Sequence, residues 1–220
     1  MRVTAFSLAA VVATFAACAV PNAAATAAGI TTLYNTGVDN AGNVLANGAT
    51  DTHYTLTQQP GTSYSAQVVG SSLGNQSGLS GRSQFVGPNS NTNADGPGGT
   101  YIYRTTFSLA GYSAATAAIS GVWSADDVGA DILLNGTSIG LTAQPTWYSS
   151  TAFKILSGFV AGMNTLDFVL RNDQGATGLR VEMTGTANAV PEPASVLLLA
   201  MGIGGIVLLR KRLQRASPSV

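Results

Sequence analysis

The sequence predicts an antiparallel all-β body, a jelly-roll or other β-sandwich, held between two apolar ends. Three observations carry that expectation. Apolar and polar residues alternate with a period of two in several runs of the middle region, the pattern of half-buried strands. Gly, Asn and Asp turn signals, not helical periods, separate those runs. Charged residues are only 9% of the 220 residues while Gly numbers 26, which argues against long helices or a coiled coil.

The elements follow in chain order. The N-terminus opens MRVTAFSLAAVVATFAACAV, with Arg2 as a positive n-region and Ala5 to Val20 as an apolar h-region. Ala-x-Ala options stand at Ala23/Ala25 and Ala25/Ala27. This is the form of a secretory signal peptide over residues 1–28, read by the Sec export machinery and cut by signal peptidase; the alternative is a buried N-terminal helix. The one cysteine, Cys18, lies in this stretch, and FAAC has a partial likeness to the box ahead of a lipidated cysteine. Either cut leaves the body without an unmodified thiol, hence without an internal disulfide, a thiolate metal site or a cysteine nucleophile.

The body spans residues 29–187. ITTLY, THYTL and YSAQVV (30–34, 52–56 and 64–69) each read as strands, and residues 70–99 read as long loops with one strand near Phe85. TYIYRTTFSL alternates Tyr101, Tyr103, Phe107 and Leu109 against Arg104, Thr106 and Ser108. ADILLNGTSIG places Asn135-Gly136 between two apolar runs, a strong hairpin signal because both residues accept positive φ. TAFKIL, MNTLDFVLRN and GLRVEMTG alternate in the same way, with Phe153 and Ile155, then Leu166, Phe168 and Leu170, then Leu179, Val181 and Met183 on the inner faces.

Charge excludes one class of partner. Residues 29–189 hold five basic residues and nine acidic ones, a surplus of four negative charges, while Arg210, Lys211, Arg212 and Arg215 cluster at the C-terminus. A mildly acidic body has no electrostatic footprint for nucleic acid. A domain of about 160 residues buries enough surface to stand without disulfides.

Few residues offer chemistry. His53 is the only histidine, and without a GxSxG elbow it reads as a hydrogen-bonding residue at a strand end rather than a catalytic base. Asp126, Asp127 and Asp131 precede the hairpin; oxygen-only ligands suit calcium, and Asp equally caps turns through its own side chain. Two carboxylates serve glycoside hydrolysis, but Glu182 is the one glutamate ahead of the tail, and its alternation with Val181 and Met183 reads as solvated. Trp147 and Tyr148, in a loop after Pro145, and Trp123 at a strand end are the candidates for stacking on a sugar; a tryptophan placed as Trp123 is more often core. No phosphate-cradling loop, CxxC or HExxH occurs, so the sequence offers no cofactor beyond that calcium reading.

The C-terminus reads VPEPASVLLLAMGIGGIVLLRKRLQR. Ala194 to Leu209 is sixteen residues without charge, a helix of roughly 24 Å against a bilayer core of about 30 Å. Arg210, Lys211, Arg212 and Arg215 behind it form a stop-transfer cluster that stays cytoplasmic, so the body faces outward. Pro191 and Pro193 bias the chain to an extended form around Glu192. Val190, Pro191, Glu192 and Pro193, followed by the short span and the basic cluster, resemble the PEP-CTERM sorting tail of exopolysaccharide-producing Gram-negative bacteria, here over residues 188–215. The resemblance implies an exosortase that cuts near the motif and releases or transfers the protein to the cell surface or matrix; the alternative is a permanent single-span anchor.

The run from GGTYIYRTTFSL through GVWSADDVGADILLNG to AGMNTLDFVLRN and TGLRVEMTG resembles galactose-binding-like jelly rolls, in particular those found ahead of such tails. NTGVDNAG and DTHYTL resemble the opening of the same surface proteins. The resemblance implies a jelly-roll body; many of these bind sugars, some bind calcium and others only pack. The expectation is a non-enzymatic exported protein that holds exopolysaccharide weakly. A purely structural matrix protein is the alternative, with a glycoside-active enzyme third.

Overall fold

Tyr101, Tyr103 and Phe107 can line one face of a strand only if the chain stays extended, because period two is the period of the pleat. In the computed structural model they do so on β6 (Gly99–Ser108), facing the core with less than 2% of their surface exposed. The structure describes residues 26–61, 66–68, 79–89, 95–141, 143–190, 201–207 and 210. The chain divides into one unit of Ala25–Val190 and a second of Met1–Ala24 with Pro191–Val220.

Among the described residues the first unit is built on two antiparallel sheets. The first orders β10 (Thr151–Ile155), β7 (Ala118–Asp126), β13 (Gly178–Asn188), β4 (Val86–Gly87) and β3 (Gln67–Val68), with β1 (Ala27–Gly29) also on β13. The second orders β2 (Thr55–Gln58), β6, β11 (Met163–Asn172), β8 (Val128–Leu134) and β9 (Thr137–Ser138). A small pair joins β5 (Asp95–Gly96) to β12 (Gly175–Ala176). Trp123 and Phe153 of the first sheet meet Phe168 of the second at ring distances of 5.7 and 6.0 Å, so the inner faces close on one aromatic core. Leu166, Leu170, Leu179 and Val181 complete it with no exposed surface. The predicted sandwich and its inner faces are therefore present.

Local chemistry fixes the hairpins. Asn135 and Gly136 take φ of 51° and 80°, joining β8 to β9 as the Asn-Gly signal predicts. A bulge between Val169 and Leu170 leaves Ala130 without a partner on β11, which bends β8 just after the acidic turn that precedes it. Across the outer face of β6 and β11, Arg104 donates from Nε and Nη2 to both carboxylate oxygens of Asp167 at 2.6 and 2.7 Å.

The N-terminal half differs from expectation. Residues 30–34 form no strand: the Leu33 N–H turns back to the Ile30 carbonyl, and Thr36 anchors to Val181 instead. Among the described residues, the second run enters a strand only at Thr55, in β2, the third contributes Gln67–Val68, and 70–99 contributes β4 and β5 where one strand was expected. β1 also reaches two residues into the segment assigned to the signal peptide, and β13 runs to Asn188, one past the expected boundary. A cut after Ala25 leaves β1 whole; a cut after Ala27 does not.

In the second unit residues 201–207 and 210 are helical. Among the described residues no helix is long and apolar enough to cross a membrane. Most of the signal peptide, Cys18, the motif residues Pro191 to Pro193, the remainder of the 194–209 run, and Lys211, Arg212 and Arg215 lie outside the described residues.

Candidate functional site

Connections gather at two ends of the sandwich. One end carries the β7–β8 turn, the β11–β12 turn and the loop into β10, and the candidate site is here. Pro145-Thr146-Trp147-Tyr148-Ser149 folds back on itself: the Thr146 and Ser149 N–H groups each donate to the other's carbonyl at 3.0 and 3.3 Å, and their hydroxyls lie 2.9 Å apart. The turn is also tied down from below. Ser124 Oγ donates to the Thr146 carbonyl at 2.8 Å and the Gly129 N–H to the Pro145 carbonyl at 2.9 Å.

Such a turn leaves its two central side chains outside. Trp147 is 52% and Tyr148 67% exposed, with rings 5.3 Å apart at 89°. The edge-to-face contact is a favoured aromatic geometry and orients each ring against the other. Chemically the turn offers two flat apolar faces at right angles, beside backbone and hydroxyl groups that hydrogen-bond.

Trp123 corrects the sequence reading that made it a ligand candidate. It is completely buried, in mid-strand on β7, against Phe168. Its effect on the site is indirect. A Cβ on Gly129 would meet the Trp123 ring at 2.5 Å and the Pro145 ring at 2.6 Å, so only glycine fits between the two. Trp123 thus backs the turn through Gly129, whose N–H donates to the Pro145 carbonyl.

The three aspartates do not come together as a calcium triad. Asp131 Oδ1 accepts from Ser138 Oγ at 2.9 Å and the Ile132 N–H at 2.7 Å, which engages it on the hairpin. Asp126 and Asp127 do touch, across a cis peptide. Burial, then the Asp127 charge and the hydrogen bond between the two, push the Asp126 carboxyl up to about 7. Asp127 Oδ2 accepts from the Asp173 N–H at 2.7 Å, joining this turn to the β11–β12 turn. Among the described residues no three His, Cys, Asp or Glu side chains form a metal-ligating group.

Glu182 is also corrected: it is not a solvated residue. It accepts from the Ser80 N–H and Oγ at 2.8 Å each, from Ser83 Oγ at 3.0 Å and from the Arg82 N–H at 3.1 Å. Burial alone would raise its pKa; those donors outweigh burial and hold it below the ordinary value. His53 behaves as expected for a residue before a strand. Its ring stacks on Tyr34 at 3.7 Å, with nitrogens 3.1 Å from the Val38 carbonyl and 2.9 Å from Asn40 Oδ1.

A concavity of about 750 Å³ lies apart from the turn, on the outer face of the first sheet. Lys154, Ser120 and Thr184 stand in register across β10, β7 and β13, a row of roughly 10 Å at the usual strand spacing. Sequence reading missed this row because it is made by register between distant strands. It also missed the anchors Ser124, Thr146 and Ser149, although Ser and Thr bracketing a tight turn after proline is a signal present in the chain.

The body is thus a two-sheet antiparallel β-sandwich with an aromatic turn at one end. Residues 189–212 are a PEP-CTERM protein-sorting motif, which marks an exported protein sorted by an exosortase and leaves Arg215 just beyond the matched span. No curated protein matches the chain. Among solved structures it is similar to CBM35 from Paenibacillus barcinonensis, at 15% identity over 61% of this chain and 94% of that one, with a TM-score of 0.34. It is similar to a family 35 carbohydrate binding module from an environmental isolate, at 16% identity over 65% and 98%, with a TM-score of 0.32. A third similarity is to the CBM36-1 domain of a multidomain xylanase from the hindgut metagenome of Trinervitermes trinervoides, at 16% identity over 43% and 75%, with a TM-score of 0.27. Likenesses this distant say nothing of what this chain binds.

Proposed function

We propose that this is a non-enzymatic exported protein that exosortase processing leaves at the cell surface or in the matrix of a Gram-negative bacterium. There it holds polysaccharide through Trp147 and Tyr148. The exposed, hydrogen-bonded aromatic turn is the observation that carries this reading. A large apolar ring left in water at a tight turn has no packing role, while its face matches the C–H face of a pyranose. Holding the turn rigid before binding lowers the ordering cost of association. The carboxylates give a hydrolase little support. Asp126 and Asp127 touch each other, whereas glycoside hydrolysis places its pair about 5–10 Å apart across the bond. Stacking on a sugar by two rings calls for no cofactor.

The test is retention of the processed protein on the host's own exopolysaccharide and on a glycan array. Trp147→Ala and Tyr148→Ala are each expected to weaken retention about tenfold, or about 1.4 kcal/mol. Ser120→Ala with Thr184→Ala is expected to leave it unchanged. Unchanged retention in both aromatic variants removes the turn as the site, and loss in the hydroxyl variant moves the site to the sheet face. No retention on any glycan replaces binding with a purely structural role in the matrix.

A further inference from the structure

The opposite end of the sandwich is where the chain leaves for its tail. Its connections, 109–117, 135–136, 156–162 and 189–190, contain no Asp, Glu, Lys, Arg or His. They are tied to one another. The Val190 N–H donates to the Gly111 carbonyl at 2.8 Å, Tyr112 to Leu109 at 3.0 Å, and Leu109 to Gly162 at 2.8 Å. Asn135 Nδ2 reaches the Gly158 carbonyl at 3.0 Å and Asn164 Oδ1 at 2.9 Å. Asn164, fully buried, in turn holds the loop by accepting from the Val160 N–H and donating to the Val160 and Gly162 carbonyls at 2.8–3.0 Å.

This well-held, charge-free end presents apolar side chains to solvent. Leu156, Val160 and Met163 are 61%, 48% and 62% exposed, and Val190, at the same end of the sandwich, is 53% exposed. Of the rest of the 156–163 loop, Phe159 packs inward against Phe107 at a ring distance of 6.2 Å, and Ser157, Gly158, Ala161 and Gly162 are small. A fixed loop has no need to expose three large apolar side chains together, and such clusters mark contact surfaces. The tail says what they meet. Only Pro191, Glu192 and Pro193 separate Val190 from the apolar run that starts at Ala194, a reach of roughly 14 Å at full extension. If the run from Ala194 is membrane-inserted, so short a tether keeps Val190 and its end of the body within reach of the bilayer.

We propose that, while the tail is uncut, the Leu156–Val160–Met163 loop docks into the headgroup and acyl boundary of the bilayer. The inference rests on reading Ala194–Leu209 as a membrane-inserted run. Interfacial apolar groups sink about 5–10 Å below the headgroups, within the range the tether allows. With no charge on these connections, docking depends on apolar insertion and not on anionic lipid. It sets the body end-on to the membrane, with the Trp147–Tyr148 turn at the far pole.

The test uses the full chain with Cys18→Ala, in vesicles of zwitterionic phosphatidylcholine with and without phosphatidylglycerol. A nitrobenzoxadiazole label is placed at Val160→Cys or, as a distal control, at Gln174→Cys. Brominated phosphatidylcholine is expected to quench the label at 160 at least twofold and the label at 174 not at all, equally with and without anionic lipid. Adding Leu156→Ser and Met163→Ser is expected to bring the label at 160 down to the control. If the chain co-floats with the vesicles but the label at 160 behaves like the label at 174, docking is overturned while the anchor stands. A blue-shifted label at 160 that brominated lipid does not quench means a protein partner covers the loop, which also overturns it. A chain that fails to co-float overturns both the anchor and the docking.

Discussion

At one end of the sandwich, hydrogen bonds from Ser124 and Gly129 hold two aromatic rings out in water beside a pair of touching carboxylates. At the other, the buried amide of Asn164 holds a loop whose exposed side chains are aliphatic and whose connections carry no charge. Both ends are rigid, and both expose apolar surface, so neither rigidity nor hydrophobicity separates them. The kind of surface does. Flat rings with polar neighbours suit a hydroxylated ligand, and aliphatic side chains without charges suit hydrocarbon. One fold thus gives its two poles different solvents to prefer.

Substitutions can break that comparison at either pole. The largest effect is expected from Trp123→Ala, which removes a completely buried ring and the wall behind Gly129. It should cost about 3–5 kcal/mol in chemical denaturation and weaken glycan retention in whatever fraction folds. A loss of stability with retention intact would show that the aromatic turn holds itself up. Next is Asn164→Ala at the other pole, which leaves buried loop amide and carbonyl groups without partners. About 2–3 kcal/mol is expected, with faster hydrogen exchange confined to 156–164 and no change in glycan retention.

A pH effect singles out the carboxylate end. The Asp126 pKa is raised to about 7 from an ordinary 3.8, so between these values the folded state binds more protons than the unfolded one. Its contribution to stability therefore falls as pH rises from about 4 to about 7 and is flat on either side. Asp126→Asn should raise the melting temperature at pH 8, with the gain shrinking to nothing near pH 4. A gain independent of pH would mean that the carboxyl is not titrating there. The smallest effect is on stability in Trp147→Ala and Tyr148→Ala, within about 0.5 kcal/mol of the parent because the side chains are exposed. A larger loss in thermal melts would make them structural and remove the argument that their exposure has a purpose.

Period-two alternation made the long strands legible: β6, β10, β11 and β13 fall where Tyr101–Leu109, Phe153–Ile155, Leu166–Leu170 and Leu179–Met183 place them. Asn135-Gly136 was legible because its turn type demands those residues. Residues 30–34 were not, since Ile30 and Leu33 are apolar as anchors on the core edge and their backbone turns instead of pairing. Glu182 misled for a similar reason. Alternation places its side chain on the outer face, but the segment from Ser80 to Ser83, about a hundred residues earlier, covers that face and supplies its donors. Trp147 and Tyr148 could be picked out after Pro145, but the role of Trp123 depended on Gly129, whose missing Cβ has meaning only once the strands are in place.

β13 is paired on both sides and runs to Asn188, and a bridge from Ala189 to Tyr112 continues it almost to the tail. Ladder hydrogen bonds in antiparallel sheets lie across the strands. Tension applied through the C-terminus therefore pulls along β13 and loads its rungs to β7 together, in shear, instead of peeling them off one at a time. β13 is thus the strand through which any pull on the C-terminal segment enters the sandwich, across its whole ladder to β7.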